Sequence, residues 1–100
     1  MKKQYSPAPW KYEENLDANM SRISSNTNYR LIAGIPNNFT ITNNPDELVI
    51  QRANANLIVA APDLLNACEA VLSALDSHQA YDKDMRPELR NAIAKAYGIF

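Results

Sequence analysis

Two arginines near the C-terminus have the type and spacing to bind a small anion. Arg86 and Arg90 are four residues apart, so they share one face if this segment is helical. At a helix start they are joined by free backbone amides and the positive end of the helix dipole. Guanidinium groups hold phosphate through paired hydrogen bonds, so a phosphate clasp is one interpretation. The alternative is a solvated helix face whose arginines pair with nearby acids, namely Asp82, Asp84 and Glu88.

Other side chains could complete a nucleotide site if the fold brings them together. The predicted sheet and long helix supply three further arginines, Arg22, Arg30 and Arg52. Amides for a ribose or a base edge are offered by Asn54, Asn56, Asn66 and Asn91. Trp10 or Tyr97 could stack on a base, although an anchor that holds the N-terminus on the core explains Trp10 more simply. The predicted ligand-binding residues are Arg86, Arg90, Asn91, Arg30, Asn66 and Trp10.

The residue types that catalysis needs are scarce. His78 and Cys68 are the sole members of their types, so neither a zinc site nor a cysteine–histidine pair with local support can be built. Gly34 and Gly98 are the only glycines, which excludes the glycine-rich loops that bind ATP or dinucleotides. Two carboxylate pairs lie in polar stretches typical of solvated surface, Glu13/Glu14 and Asp82/Asp84. We therefore expect a protein that is not an enzyme and uses no metal or cofactor.

Size and charge narrow the class of protein further. One hundred residues with 46% hydrophobic composition suit a single domain with a small core. A formal charge of −1 disfavours a nucleic-acid polymer as partner, because such binding neutralises many phosphates. No apolar run approaches the ~20 residues that span a bilayer, and no signal-peptide core is visible. We expect a single-domain cytoplasmic protein with no membrane partner.

The first half of the chain predicts an arm and a small antiparallel sheet. Residues 1–9 form the arm, because Pro7 and Pro9 favour extended backbone. Residues 10–43 contain three or four short strands, separated by turns rich in Asn, Ser and Asp. The segment 39–42 is the candidate fourth strand, since it is aromatic and β-branched.

Two helices are predicted to follow the sheet. The first covers residues 46–76 and bends at Pro62, because an apolar stripe passes through the proline without changing phase. The stripe consists of Leu57, Ala61, Leu64, Cys68, Val71 and Leu75, and it is widened by Leu65 and Leu72. The second helix covers residues 85–97 and folds back antiparallel on the first, with Ile93 against the stripe. The fold class is therefore α+β, with the stripe facing inward.

Both predicted helices are rich in alanine, which lets helices approach one another closely. A monomer with so small a core would leave several larger side chains partly exposed to solvent, among them Leu57, Leu64, Leu72 and Ile93. Association through the helices would bury them. We therefore expect a homo-oligomer.

Three segments resemble a widespread family of small bacteriophage and prophage proteins. Residues 6–10, SPAPW, are similar to the family's TPGPW start, and residues 53–65, ANANLIVAAPDLL, to its NARLIAAAPELL segment. Residues 91–98 resemble its C-terminal helix. Ala8 stands where the family usually has glycine, and Asn56 where it usually has arginine. The resemblance implies a phage protein that acts inside the bacterial host cell.

The predicted architecture is also similar to that of phage Thoeris anti-defence sponges, which bind cyclic ADP-ribose isomers and related immune nucleotides without cleaving them. Arg86 and Arg90 resemble the phosphate-binding arginines of such sponges. This similarity implies a counter-defence protein that sequesters a small cyclic nucleotide signal. The alternatives are a protein-binding inhibitor of a host defence factor, similar to anti-CRISPR proteins, and a phage accessory protein with another role.

Overall fold

The computed structural model describes residues 4–77 and 86–98 of the chain. The chain separates into two compact units, Met1–Pro62 and Asp63–Phe100. The first unit carries three strands and two helices, and most of the other two helices belong to the second. A three-stranded antiparallel sheet followed by helices confirms the predicted α+β class.

The sheet is an antiparallel meander with its second strand in the centre. Its strands are β1 Trp10–Glu13, β2 Met20–Ser25 and β3 Leu31–Pro36. Ile23 in β2 lies opposite Tyr12 of β1 and Ala33 of β3. Because Ile23 has a neighbouring strand on both sides, it is the residue of the sheet best placed for burial, and it is completely buried.

The N-terminal arm is held on the turn that joins β2 to β3. The hydroxyl of Ser25 donates to the carbonyl of Pro7 at 2.6 Å and accepts from the backbone N–H of Thr27 at 3.3 Å. The Thr27 hydroxyl donates in turn to the carbonyl of Ala8 at 3.0 Å. Ser and Thr hydroxyls commonly bond the backbone of turns in this way. The turn therefore determines where the arm lies on the unit.

Residues 39–42, predicted as a strand, form a helix instead. They belong to α1 Asn38–Thr42. The Thr40 hydroxyl donates to the carbonyl of Asn37 at 2.7 Å, and Asn43 closes the turn in the left-handed conformation, with φ of 54°. These local hydrogen bonds outweigh the strand preference of β-branched residues, which depends on a neighbouring strand.

The next helix, α2 Pro45–Val59, begins as the sequence predicts. The side chain of Asn44 accepts from the backbone N–H of Asp46 at 3.0 Å and caps the helix. Pro45 occupies the first turn, where its missing N–H costs nothing. The cap and the proline together set the helix start.

The helix predicted over residues 46–76 is divided in two. Ala60 separates α2 from α3 Ala61–Ser77, in which Pro62 is the second residue. In a continuous helix Pro62 would leave the carbonyl of Ile58 without its donor, and the proline ring would clash with that carbonyl.

No single described helix is long and apolar enough to cross a membrane; α2 and α3 meet that criterion only when taken together.

The C-terminal unit pairs α3 with α4 Arg86–Ala96. The Tyr97 hydroxyl donates to Glu69 Oε1 at 3.1 Å, and Arg90 Nη2 donates to Asp76 Oδ1 at 2.9 Å. Later residues of the α4 segment thus meet earlier residues of α3. The two helices are antiparallel, which confirms that prediction.

The apolar interior of the N-terminal unit is small. Ile23 and Ala55 are the buried hydrophobic residues of the part of the chain that the structure describes. Apart from Pro62, the other buried residues are polar, namely Ser21, Ser24, Ser25, Asn37 and Gln51. This unit therefore depends on satisfied hydrogen bonds as much as on apolar burial.

The prediction that the apolar stripe faces inward is wrong for three of its members. Leu57, Leu64 and Val71 are 65%, 50% and 49% exposed. In α2 the sheet-facing positions are taken by Gln51 and Ala55 instead. In α3 the half-buried face consists of Leu65, Cys68, Leu72 and Leu75, which all belong to the predicted stripe.

Candidate ligand-binding site

The N-terminal unit has a groove between the arm and the beginning of β3. Its volume is about 510 Å³, within the ~300–1,000 Å³ usual for small-molecule sites. It is lined by residues 4–7 of the arm, by Trp10, and by Asn28 and residues 30–32. The groove brings together two of the predicted ligand-binding residues, Trp10 and Arg30.

The aromatic side of this groove is formed by Trp10 and Tyr5. The indole Nε1–H donates to the carbonyl of Ser6 at 2.9 Å, which fixes the ring orientation. The Tyr5 ring meets the indole edge to face, with centroids 6.3 Å apart and planes at 86°. Trp10 is therefore an anchor of the arm, as one interpretation predicted, and it also lines the groove.

The cationic side of the groove is Arg30. Its backbone N–H donates to Asn28 Oδ1 at 3.1 Å, and its carbonyl accepts from Ser25 N–H at 2.9 Å, so the residue is positioned through its main chain. Within residues 4–77 and 86–98 its guanidinium makes no hydrogen bond or ion pair. Its donors are therefore available to a ligand.

The predicted clasp residues Arg86 and Arg90 lie together on α4, where they share one carboxylate. Asp76 Oδ1 is 2.9 Å from Arg90 Nη2 and 3.7 Å from Arg86 Nη1. The acid that pairs with them comes from α3 and not from α4. Of the acids proposed from the sequence, Asp82 and Asp84 lie outside the described residues, as does His78.

A second groove, of about 380 Å³, lies between α3 and α4. Glu69 and Asp76 contribute carboxylates to its lining, beside Leu72 and Ile93. Carboxylates oppose the approach of a phosphate. Asn66 and Asn91 were also predicted to bind the ligand. Neither of them lines this groove, and both are exposed on their helices.

The other two of the three further arginines, Arg52 and Arg22, do not line the groove of Arg30. Arg52 is held by Glu14 through two hydrogen bonds of 2.8 Å, from Nε and Nη2. Arg22 is exposed in β2 and does not line the groove of Arg30. The structure therefore places a single one of these three arginines at the candidate site.

The Arg52 hydrogen bonds lower the pKa of the Glu14 carboxyl below its usual 4.5, helped by a hydrogen bond of 3.2 Å from the Tyr12 hydroxyl. A carboxyl with a lowered pKa in the folded state adds stability above pH 4.5, and this stability is lost as the pH falls through the folded pKa.

We therefore expect the urea midpoint of the N-terminal unit to fall below pH 4.5, and to fall less in Glu14→Gln. The fluorescence of Trp10, the single tryptophan, reports the midpoint at each pH. Arg52→Gln should flatten the curve in the same way, because it removes the same hydrogen bonds. If the urea midpoint of both variants depends on pH as strongly as that of the wild type, the Glu14–Arg52 pair is not the cause of the pH dependence.

A buried hydrogen-bond cluster joins the sheet, the β3–α1 turn and α2. Gln51 Nε2 donates to Asn37 Oδ1 at 2.9 Å and to the Tyr12 hydroxyl at 3.0 Å. The Ser21 hydroxyl donates to the same Asn37 oxygen at 2.7 Å. This cluster was not predicted from the sequence. The available signal was the spacing of Gln51 and Ala55, which lie one helical turn apart and so share one face of α2.

The orientation of the Asn37 amide is fixed by its surroundings. Its Nδ2 donates to the carbonyls of Asn15 and Ala18, both at 2.8 Å. Its Oδ1 must then be an acceptor, which obliges Gln51 to present Nε2 to it. The cluster therefore has one consistent arrangement and locks α2 onto the sheet.

Among the described residues no three His, Cys, Asp or Glu side chains form a metal site.

Comparison with known proteins places the chain in a phage family. Neither the curated proteins nor the solved structures yield a match. The predicted membership of a small phage protein family is confirmed, whereas the further similarity to Thoeris sponges receives no support. The family match extends over residues 1–99, and the protein therefore belongs to the family described as Salmonella phage P22 protein Y8K6.

Proposed function

We propose that this phage-family protein captures a small anionic nucleotide, without chemical turnover, in the groove of Arg30 and Trp10. The observation that carries the proposal is the guanidinium of Arg30, which has no partner in the described residues and lies beside two aromatic rings in a groove of about 510 Å³. An unpaired guanidinium can bind phosphate through two parallel charge-assisted hydrogen bonds.

The rest of the groove supplies complementary chemistry. The indole N–H of Trp10 is already bonded to the arm, so the indole offers a ring surface for a base or ribose. Asn28 uses its side-chain oxygen on the backbone of Arg30, which leaves the amide nitrogen as a donor. These groups fit a phosphate joined to a flat ring, the general chemistry of a nucleotide.

Capture without turnover agrees with the residues that line the groove. The described lining contains no His, Cys, Asp or Glu, the residue types that most often act as base or nucleophile. In a phage protein, stoichiometric capture would lower the free concentration of a host immune nucleotide. This is the role that we propose, as a non-catalytic counter-defence protein.

The Arg86–Arg90 pair supports nucleotide binding less well than the Arg30 groove. Asp76 already pairs with both guanidiniums, and Glu69 adds a second carboxylate to the neighbouring groove. A phosphate would have to displace one carboxylate and approach another. We therefore assign the anion to Arg30.

Calorimetric titration with cyclic ADP-ribose isomers and cyclic dinucleotides tests the proposal. We expect one of these ligands to bind. Arg30→Gln should lower the affinity for this ligand roughly 10- to 100-fold, because it removes hydrogen bonds made by a charged group. Arg30→Lys should also weaken binding, because lysine keeps the charge but not the paired geometry. Ligand released by heating should have an unchanged mass.

Arg90→Gln is the matched control, since it removes the same charge from the other arginine site. Its affinity should equal that of the wild type. If no nucleotide gives heat, nucleotide capture is wrong. If Arg90→Gln loses affinity while Arg30→Gln does not, the site is wrong. A hydrolysed ligand would contradict capture without turnover.

A further inference from the structure

The outer face of α2 carries a stripe of apolar side chains that its own unit does not cover. The stripe consists of Val49, Ile50, Ala53 and Leu57, and all four are exposed. The exposed fractions of Val49, Ile50 and Leu57 are 65%, 53% and 65%. Single exposed hydrophobic residues are ordinary, but a contiguous apolar stripe marks an interaction surface.

The position of the stripe on the helix excludes the sheet as its partner. With 3.6 residues per turn, its four residues fall within about 100° of the helix circumference. Gln51 and Ala55, which are buried against the sheet, lie on roughly the opposite side. The helix α2 is therefore apolar on the face that its unit leaves open, while a polar side chain occupies the face that its unit buries.

The spacing within the stripe points to a second copy of this chain as the occupant. Val49 and Leu57 are each four residues from Ala53, one on either side. If two α2 helices pack antiparallel about a two-fold axis at Ala53, Val49 of one copy meets Leu57 of the other. The small side chain at the centre lets the two backbones approach closely. A self-complementary pattern of this kind is what a two-fold interface requires.

The charge of the stripe also suits a second copy. None of its four residues is charged, and the positions that flank it near the centre are the neutral amides Asn54 and Asn56. Arg52, the closest basic residue in sequence, is already bound by Glu14. Asp46 is exposed on the same face of α2, seven residues before Ala53, and in the antiparallel pair it would lie opposite Ala60 of the other copy. Like charges therefore do not oppose the pairing of two identical faces.

We propose that α2 of one chain packs antiparallel against α2 of a second copy, with Ala53 at the two-fold axis. This interface buries the apolar side chains that the thin core of the N-terminal unit leaves exposed. It uses none of the residues that line the groove of Arg30, so it stands or falls independently of nucleotide binding.

Sedimentation velocity at tens of micromolar tests the association. We expect a species of about twice the 11.2 kDa chain mass, and a monomer for Leu57→Lys. Val71→Lys is the matched control, because Val71 is 49% exposed in α3 and lies outside the α2 stripe and the groove of Arg30; it should remain a dimer. A monomeric wild type would overturn the proposal, and so would a Leu57→Lys variant that stays dimeric.

Disulfide trapping tests the axis itself. In a Cys68→Ser background, which removes the native thiol, Ala53→Cys should cross-link between chains on mild oxidation, because two cysteines at a two-fold axis can reach the Cα separation of ~4.4–6.8 Å that a disulfide needs. Asn56→Cys, on the flank of the stripe, should cross-link at least tenfold more slowly. Equal rates for the two positions, or no cross-link at position 53, would overturn the proposed geometry.

Discussion

Asn37→Ala is expected to destabilise the N-terminal unit by about 2 to 5 kcal/mol, because it removes four hydrogen bonds made by one buried amide. Asn37 is 2% exposed. Its amide nitrogen satisfies two backbone carbonyls, and its oxygen accepts from Ser21 and Gln51. Truncation to alanine removes all four hydrogen bonds; the carbonyl of Ala18 loses the donor Nδ2, and the carbonyl of Asn15 keeps only the N–H of Ala18 at 3.3 Å.

Urea denaturation followed by Trp10 fluorescence measures this loss in the unit concerned. Asn38→Ala is the matched control; its exposed side chain should make it neutral to within about 0.5 kcal/mol. Asn37→Asp separates hydrogen bonding from packing, since it keeps the side-chain volume but replaces the donor with an acceptor. It should be at least as destabilising as alanine. A cost below about 1 kcal/mol for both Asn37 variants would mean that the cluster does not hold the unit together.

Ile23→Ala should cost about 2 to 5 kcal/mol, the usual range for truncation of a buried isoleucine. Ile23 is completely buried in the central strand, and Ala55 is the other buried hydrophobic residue of the described chain. Because so few apolar side chains are buried, the unit has little means of closing around the cavity. We expect Ile23→Val to cost about 0.5 to 1.5 kcal/mol.

The same substitution at an exposed site provides the control for Ile23. Ile41 is 83% exposed in α1, so Ile41→Ala removes identical atoms without opening a cavity. Its free energy of unfolding should stay within about 0.5 kcal/mol of the wild type. Equal losses at the two positions would show that Ile23 does not form the core.

Local signals in the sequence were sufficient for elements that are stabilised by their own residues. The start of α2 follows from Asn44 and Pro45, and the hairpin between β2 and β3 from its polar turn. Residues 39–42 were predicted wrongly, because β-branched composition indicates a strand only where another strand is available. In their place, side-chain hydrogen bonds to neighbouring carbonyls stabilise a helical turn.

The candidate site was predictable residue by residue but not as an assembly. Trp10 and Arg30 were identified from their chemistry, yet they are twenty residues apart and line one groove only because β1 pairs with β2, which places Trp10 opposite Ser25 at the β2–β3 turn. Arg86 and Arg90 were identified from their spacing, which gave no sign that Asp76 of another helix would pair with both. Spacing shows which residues share a helix face, but it does not show what lies across from that face.

The sequence by itself determined the α+β class, the order of sheet and helices, the start of α2 and the membership of a phage protein family. Only the tertiary structure decided which side of α2 is buried. The apolar stripe predicted burial of the side that carries Leu57. In the structure, Gln51 Nε2 donates to Asn37 and Tyr12 on the side that faces the sheet, and this side is buried. Burial of the Nε2 donor without acceptors would be costly, so these hydrogen bonds favour the rotation of the helix that leaves Val49, Ile50 and Leu57 facing outward.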